Sequence, residues 1–147
     1  MKKNIFLLLL SLSSFCFYAQ KKELTPEDKV IDFLKVDKAP IYSGCEKKDI
    51  TLQKKCFQNK IKSHFTRNFN TKIAKNLKLE SGSYATYVIF TINKKGVISN
   101  IGAIGFHYKL EKEGIRVAKL LPKIKPGKKN GKVVAVKYTY PVIITIE

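Results

Sequence analysis

Apolar side chains recur in different rhythms along this chain, and each rhythm predicts a different element. From Ile5 to Leu10 they are unbroken, and Phe15 and Phe17 extend that run. Between Leu24 and Val36 the stripe Val30, Ile31 and Leu34 has helical spacing. Thr25 can cap such a helix, Pro26 suits its first turn, and Glu27 and Asp28 favour its dipole. A connector from Asp37 to Glu46 holds Pro40 and Gly44. Asp49 then caps a clearer helix, in which Leu52, Cys56, Phe57, Ile61 and Phe65 recur at helical spacing. Asn70 opens another short helix carrying Ile73, Ala74 and Leu77, and Ser81-Gly82-Ser83 ends it.

The period then changes to two. Tyr84, Thr86, Val88, Phe90 and Ile92 alternate with Ala85, Tyr87, Ile89 and Thr91, which predicts a strand with two usable faces. Asn93-Lys94-Lys95-Gly96 reads as a hairpin connection, and Val97 to Ile104 as the returning strand. Leu110 to Leu121 predicts a helix with Leu110, Val117, Ala118 and Leu121 inward, Glu111 and Glu113 in its first turn, and Pro122 as its stop. Gly114 would weaken that helix by about 1 kcal/mol relative to Ala, which suggests close packing against the sheet. Lys123 to Lys132 is a basic turn region, and Val133 to Ile146 the last strand, broken in character at Pro141. The expected fold is α+β: a small, mainly antiparallel sheet built strand-strand-helix-strand, with helices on one face. Pro141 cannot donate to a ladder, so the last strand is expected at a sheet edge or a bulge.

The apolar run at the start changes the picture of where the protein works. Lys2 and Lys3 precede it, and Ala19 offers a small residue before Gln20, so residues 1–19 read as a cleavable export signal. The stretch from Ile5 to Ala19 is 15 residues, short of the roughly 20 needed to span a bilayer as a helix. The expected location is the periplasm or the exterior, with an uncleaved membrane anchor as the alternative. Residues 20–38 are then an N-terminal helical segment and 39–147 one domain.

Charge is unevenly distributed. The chain has a formal net charge of +18, and from Ile50 onward 20 Lys and Arg face only Glu80, Glu111, Glu113 and Glu147. In an exported protein this points to anionic lipid, glycolipid or wall polymer and away from nucleic acid. A basic patch is expected from Lys119, Lys123, Lys125, Lys128, Lys129 and Lys132. The plainer reading is that these lysines keep an exported protein soluble.

Once the signal is removed, Cys45 and Cys56 remain, and an even pair in an oxidising compartment predicts a disulfide. Little else suggests chemistry. There is no nucleophile motif, phosphate-binding glycine loop or paired carboxylate, and His64 and His107 are too few for a metal site. No enzyme activity, cofactor or metal is expected. Ser63 and Ser99 lack a neighbouring base in sequence. Tyr84, Tyr87, Tyr138 and Tyr140 could form a stacking platform, although core and cross-strand packing accounts for their alternation more simply.

Several of these features together resemble a known family. Gly82 before a two-faced strand, Asn93-Lys94-Lys95-Gly96 followed by Val97-Ile98-Ser99-Asn100, Pro126-Gly127 after a helix, and a final strand with Val134, Val136 and Thr139-Tyr140-Pro141 resemble the C-terminal domain of TonB, the energy transducer of Gram-negative envelopes. Ala39-Pro40-Ile41-Tyr42-Ser43-Gly44-Cys45-Glu46, with Cys56 after it, is similar to the Bacteroidetes-type version. The resemblance runs from about Ala39 to Glu147. It implies a periplasmic, non-enzymatic module that grips a short segment of an outer-membrane receptor, or another envelope protein, by strand addition, in connection with TonB-dependent transport. By position, the implied binding edge is Val133, Val134, Ala135, Val136, Lys137, Tyr138, Thr139 and Tyr140. Cover of that edge by the N-terminal segment or by a second copy of the chain is the alternative. One departure is plain: the 20 residues from Gln20 to Ala39 reach about 70 Å at full extension, with no Pro-rich spacer, so force transmission across the periplasm is not expected.

Overall fold

A computed structural model describes residues 29–46 and 49–147; the expected export signal and the start of the first predicted helix lie outside them. The chain runs β1 (Val30–Asp32), a 3-10 turn (Phe33–Lys35), α1 (Ile50–Asn68), α2 (Lys72–Lys75), β2 (Gly82–Ile92), β3 (Ile98–Gly105), α3 (Tyr108–Lys119), β4 (Lys128–Lys129), β5 (Lys132–Val133) and β6 (Ala135–Ile146). The main sheet has the order β1-β6-β2-β3, and β4 and β5 form a separate two-stranded ribbon. β6-β2-β3 is antiparallel, β1 is parallel to β6, and the helices make the whole an α+β fold. Among the described residues no helix is long and apolar enough to cross a membrane.

The core lies between one sheet face and the helices. Alternation in β2 turns Thr86, Val88, Phe90 and Ile92 inward, and β6 contributes Val136, Tyr138, Val142 and Ile144. Phe57, Ile61 and Phe65 of α1 and Leu110, Val117 and Ala118 of α3 close over them, all fully or nearly fully buried. Asp49 caps α1 as expected, its carboxylate accepting from the Leu52 amide at 2.9 Å. Gly114 packs as closely as its place in the sequence suggested. A Cβ there would lie 2.6 Å from Val88 Cγ2, so any larger residue would push α3 off β2. The hairpin turn uses Gly96 at φ +80°, with the Asn93 side chain accepting from the amides of Lys95 and Val97.

Two expectations fail. The described part of the first predicted helix is a strand and a 3-10 turn instead. Val30 and Ile31 are β-branched, and pairing with β6 in the register Val30↔Ala135 to Asp32↔Lys137 outweighs so short a helical stripe. Asp32 then caps the turn, accepting from the Leu34 amide at 2.9 Å. The turn drives Phe33 into an aromatic cluster, 5.1 Å from Phe57 and 4.8 Å from Tyr138 between ring centroids. Val30 to Lys38 are therefore part of the sheet and its border. Nor does Pro141 break the last strand, which continues to Ile146.

The Cys45–Cys56 disulfide is present, with Cα atoms 5.9 Å apart, and joins the connector to α1. Closing a loop with a sequence separation of 11 stabilises the fold by about 3 kcal/mol in the chain-entropy account. A second lock joins the helices. The buried Glu113 carboxylate accepts from Arg116 at 2.6 and 2.8 Å and from the Asn70 amide at 2.8 Å. Arg116 also donates to the Asn68 carbonyl at 2.7 Å.

Candidate functional site: a half-covered last strand

The last strand begins inside the sheet and ends at its border. Val133 belongs to the β4–β5 ribbon, opposite Lys128, and Val134 lies between strands, where its amide donates to the Gly127 carbonyl at 3.1 Å. Ala135, Val136 and Lys137 are flanked on one side by β1 and, from Val136, on the other by β2. The edge expected over Val133–Tyr140 is thus closed in its first half, because the segment read as a helix supplies the covering strand. From Tyr138 to Ile146, β6 pairs with β2 alone among the described residues. The open edge therefore keeps Tyr138, Thr139 and Tyr140 of the expected set and adds Pro141 to Ile146.

Proline decides which backbone groups face outward. Pro141 stands opposite Tyr87 in an unbroken register from Gly82↔Ile146 to Ile92↔Val136. Lacking an N–H, it fits such a ladder only where its nitrogen turns away from β2. Backbone direction alternates along a strand, so Thr139, Ile143 and Thr145 also present their amides to the open side, and Lys137 presents its amide to β1. The same residues stand on the sheet face opposite the helices. There Ile143 is 66% exposed, Tyr87 50% and Ile104 67%. Ile104, Tyr87 and Pro141 form one cross-strand row, and Lys137 is the only charged residue that β2, β3 and β6 place on that face.

The opposite border is less suited to pairing. β3 carries a bulge, with Asn100 at φ +48° and the register shifting by one between Ile89↔Gly102 and Thr91↔Ser99. Bulges bend and twist an edge away from further strands.

The four tyrosines do not form one platform. Tyr138 is buried against Phe33, Phe57 and Phe90, and burial pushes its hydroxyl pKa up to about 12. Tyr140 packs 4.6 Å from Phe65, and burial raises its pKa as well. Tyr84 packs against Phe106 and donates to the Glu80 carbonyl at 2.9 Å, which leaves Tyr87 on the exposed face. His64 is buried with Nε2 2.9 Å from the Val117 carbonyl, joining α1 to α3. His107 caps α3, its Nδ1 accepting from the Lys109 amide at 3.1 Å. Ser63 lies on the exposed side of α1, and the Ser99 hydroxyl points to the Thr91 carbonyl at 3.4 Å. Among the described residues no group of three His, Cys, Asp or Glu could hold a metal ion.

The lysines of the expected basic patch lie on several elements. Lys119 ends α3, Lys128 and Lys129 form β4, and Lys132 starts β5. Lys129 is neutralised by Asp37 at 2.7 Å, and Asp37 also accepts from the Asn130 amide, which holds its carboxyl below the usual range. The backbones of Lys125 and Lys128 are bonded to Ile41 and Lys38 at 2.9–3.1 Å, so much of this region is the seam that fastens the N-terminal segment.

Sequence reasoning missed that seam, whereas cover of the edge by the N-terminal segment was its stated alternative, and β1 supplies that cover as far as Lys137. The available signals were the β-branched pair Val30-Ile31 and the nitrogen direction that Pro141 imposes. Comparison of the chain with protein-family models, with curated proteins and with solved structures finds no match.

Proposed function

We propose that this is an exported, non-enzymatic envelope module similar to the TonB C-terminal domain, which takes up an extended segment of an outer-membrane receptor or another envelope protein along β6. The observation that carries the reading is the half-covered last strand: closed by β1 as far as Lys137, it is open among the described residues from Tyr138 to Ile146. Outward amides at Thr139, Ile143 and Thr145, and carbonyls at those residues and Pro141, would form the new ladder. Ile143 and Pro141 would pack against the partner's outer side chains. Pro141 removes one donor from the middle of the edge, which is how natural edges limit unwanted pairing.

Amide chemical shifts during titration with short synthetic receptor-segment peptides test the reading. Shifts should centre on Thr139, Ile143 and Thr145 and leave the 98–105 strand unmoved. Thr139→Pro should abolish binding while β2 pairing survives, since that amide faces away from β2. Peptide binding that leaves Tyr138–Ile146 unshifted would refute the proposal.

A further inference from the structure

The solvent side of α1 carries an arrangement that strand addition does not use. α1 has five basic residues and no acid in 19 positions, so it lacks the i,i+4 ion pairs that usually offset such a run. Lys54 is turned away, its ammonium 5.1 Å above the Phe33 ring. The other four line two solvent-facing hollows on the exposed side.

The first, about 370 Å³, is lined by Lys55, Lys60 and Arg67, with Asn59 and Ser63 between them and Leu52 and Cys56 as apolar floor. The second, about 360 Å³, is lined by Lys62, Thr66, and again Ser63 and Arg67. The shared residues make them one groove along the helix. Among the described residues no carboxylate lines either hollow. Glu46 is an acid whose charge acts on Lys60. Its carboxylate accepts from its own amide and that of Gly44, and Lys125 and Lys60 help hold its pKa below the usual range. Its charge therefore offsets part of Lys60 only.

Arg67 is held in place. Its Nε donates to the Ser63 carbonyl at 3.2 Å, one turn back, which orients the guanidinium where the two hollows meet. The disulfide clamps the connector against α1 at Cys56, in the floor of the first hollow. A fixed planar fork flanked by ammonium groups suits the oxygens of a phosphate. The amide of Asn59 and the hydroxyls of Ser63 and Thr66 suit the hydroxyl groups that accompany a phosphate in a sugar or glycerol ester.

We infer that the α1 groove binds a phosphate ester, with Arg67 as the forked contact and Lys55 and Lys62 as flanking charges. The site is separate from β6 and does not depend on peptide binding there.

Amide shifts should be followed while the full chain is titrated with glycerol phosphate, with inorganic phosphate, and with chloride and acetate at equal ionic strength. Saturable shifts at Asn59, Lys62, Ser63 and Arg67 are expected for the two phosphates and not for the controls. Arg67→Gln and Lys55→Gln should each weaken binding about tenfold, the loss expected for one charge-assisted hydrogen bond. Both variants replace a solvent-facing charge, so thermal midpoints should hold, and Lys123→Gln should bind like the parent. Cosedimentation with phosphatidylglycerol vesicles then separates the sources. Loss of vesicle binding in Arg67→Gln assigns a lipid headgroup, and unchanged vesicle binding assigns a soluble ester. Shifts that follow ionic strength for every salt, that appear equally with acetate, or that map to Lys119–Lys132 would overturn the proposal.

Discussion

Glu113 shows how one residue can join three elements. Its carboxylate is buried in α3, yet it is satisfied by Arg116 beside it and by the Asn70 amide before α2. The Arg116 hydrogen bond is the largest cause holding its pKa below the ordinary carboxylate value, and the Asn70 amide adds to this against the cost of burial. A carboxyl depressed on folding contributes stability that is fully present above the unfolded value, about 4.3, and lost as pH falls through the folded one. Glu113→Gln should therefore flatten the acid limb of a denaturant-midpoint profile below about pH 5, while Glu113→Ala should cost about 1–3 kcal/mol at neutral pH by stranding buried partners. An acid limb unchanged in Glu113→Gln would mean that the lock contributes nothing net. Thr86 is the opposite case: its buried hydroxyl finds no partner among the described residues, and a Cβ on Gly105 across the ladder would sit 2.5 Å from it.

At the scale of elements, β1 governs the last strand. It is three residues long and pairs only with β6, yet it separates the closed half of that strand from the open half. Backbone direction makes its removal readable. In Ile31→Pro the strand loses a donor that a parallel ladder needs. The Lys137 amide, which faces β1, should then exchange much faster with deuterium, while Tyr138, which faces β2, should keep its protection. Equal protection of the two amides in the variant would show that β1 does not cover that edge. The same alternation accounts for the exposed Ile143 and the buried Val142 and Ile144 on either side of it.

Across the whole molecule, charge and surface are sorted by face. From Ile50 to the end of the chain 20 basic residues meet four acids, and the two ion pairs among the described residues are Glu113–Arg116 and Asp37–Lys129. The outer sheet face is nearly free of charge. A polycation of this kind is strained by its own repulsion, and screening relieves it. Raising sodium chloride from about 0.02 to 0.3 M, where the screening length falls from roughly 20 to 6 Å, should therefore raise the thermal midpoint. A midpoint that falls with salt would show that attractive pairs outweigh the repulsion.

Much of this fold can be read directly from the chain, wherever an element is long enough for its period to be unambiguous. Phe57, Ile61 and Phe65 mark α1, the alternation from Tyr84 to Ile92 marks β2, and Asn93 to Gly96 marks the turn between β2 and β3. Cys45 and Cys56, the even pair outside the expected export signal, mark their own disulfide. In each case local geometry and the need to bury one face point the same way. The tertiary structure alone decided the fate of Val30 to Phe33, since a short apolar stretch fits either period until a neighbouring backbone offers hydrogen bonds. It likewise decided that Asp37 neutralises Lys129, and that the open edge runs from Tyr138 to Ile146 and not from Val133. Those outcomes depend on residues about a hundred positions apart coming together, which no local pattern encodes.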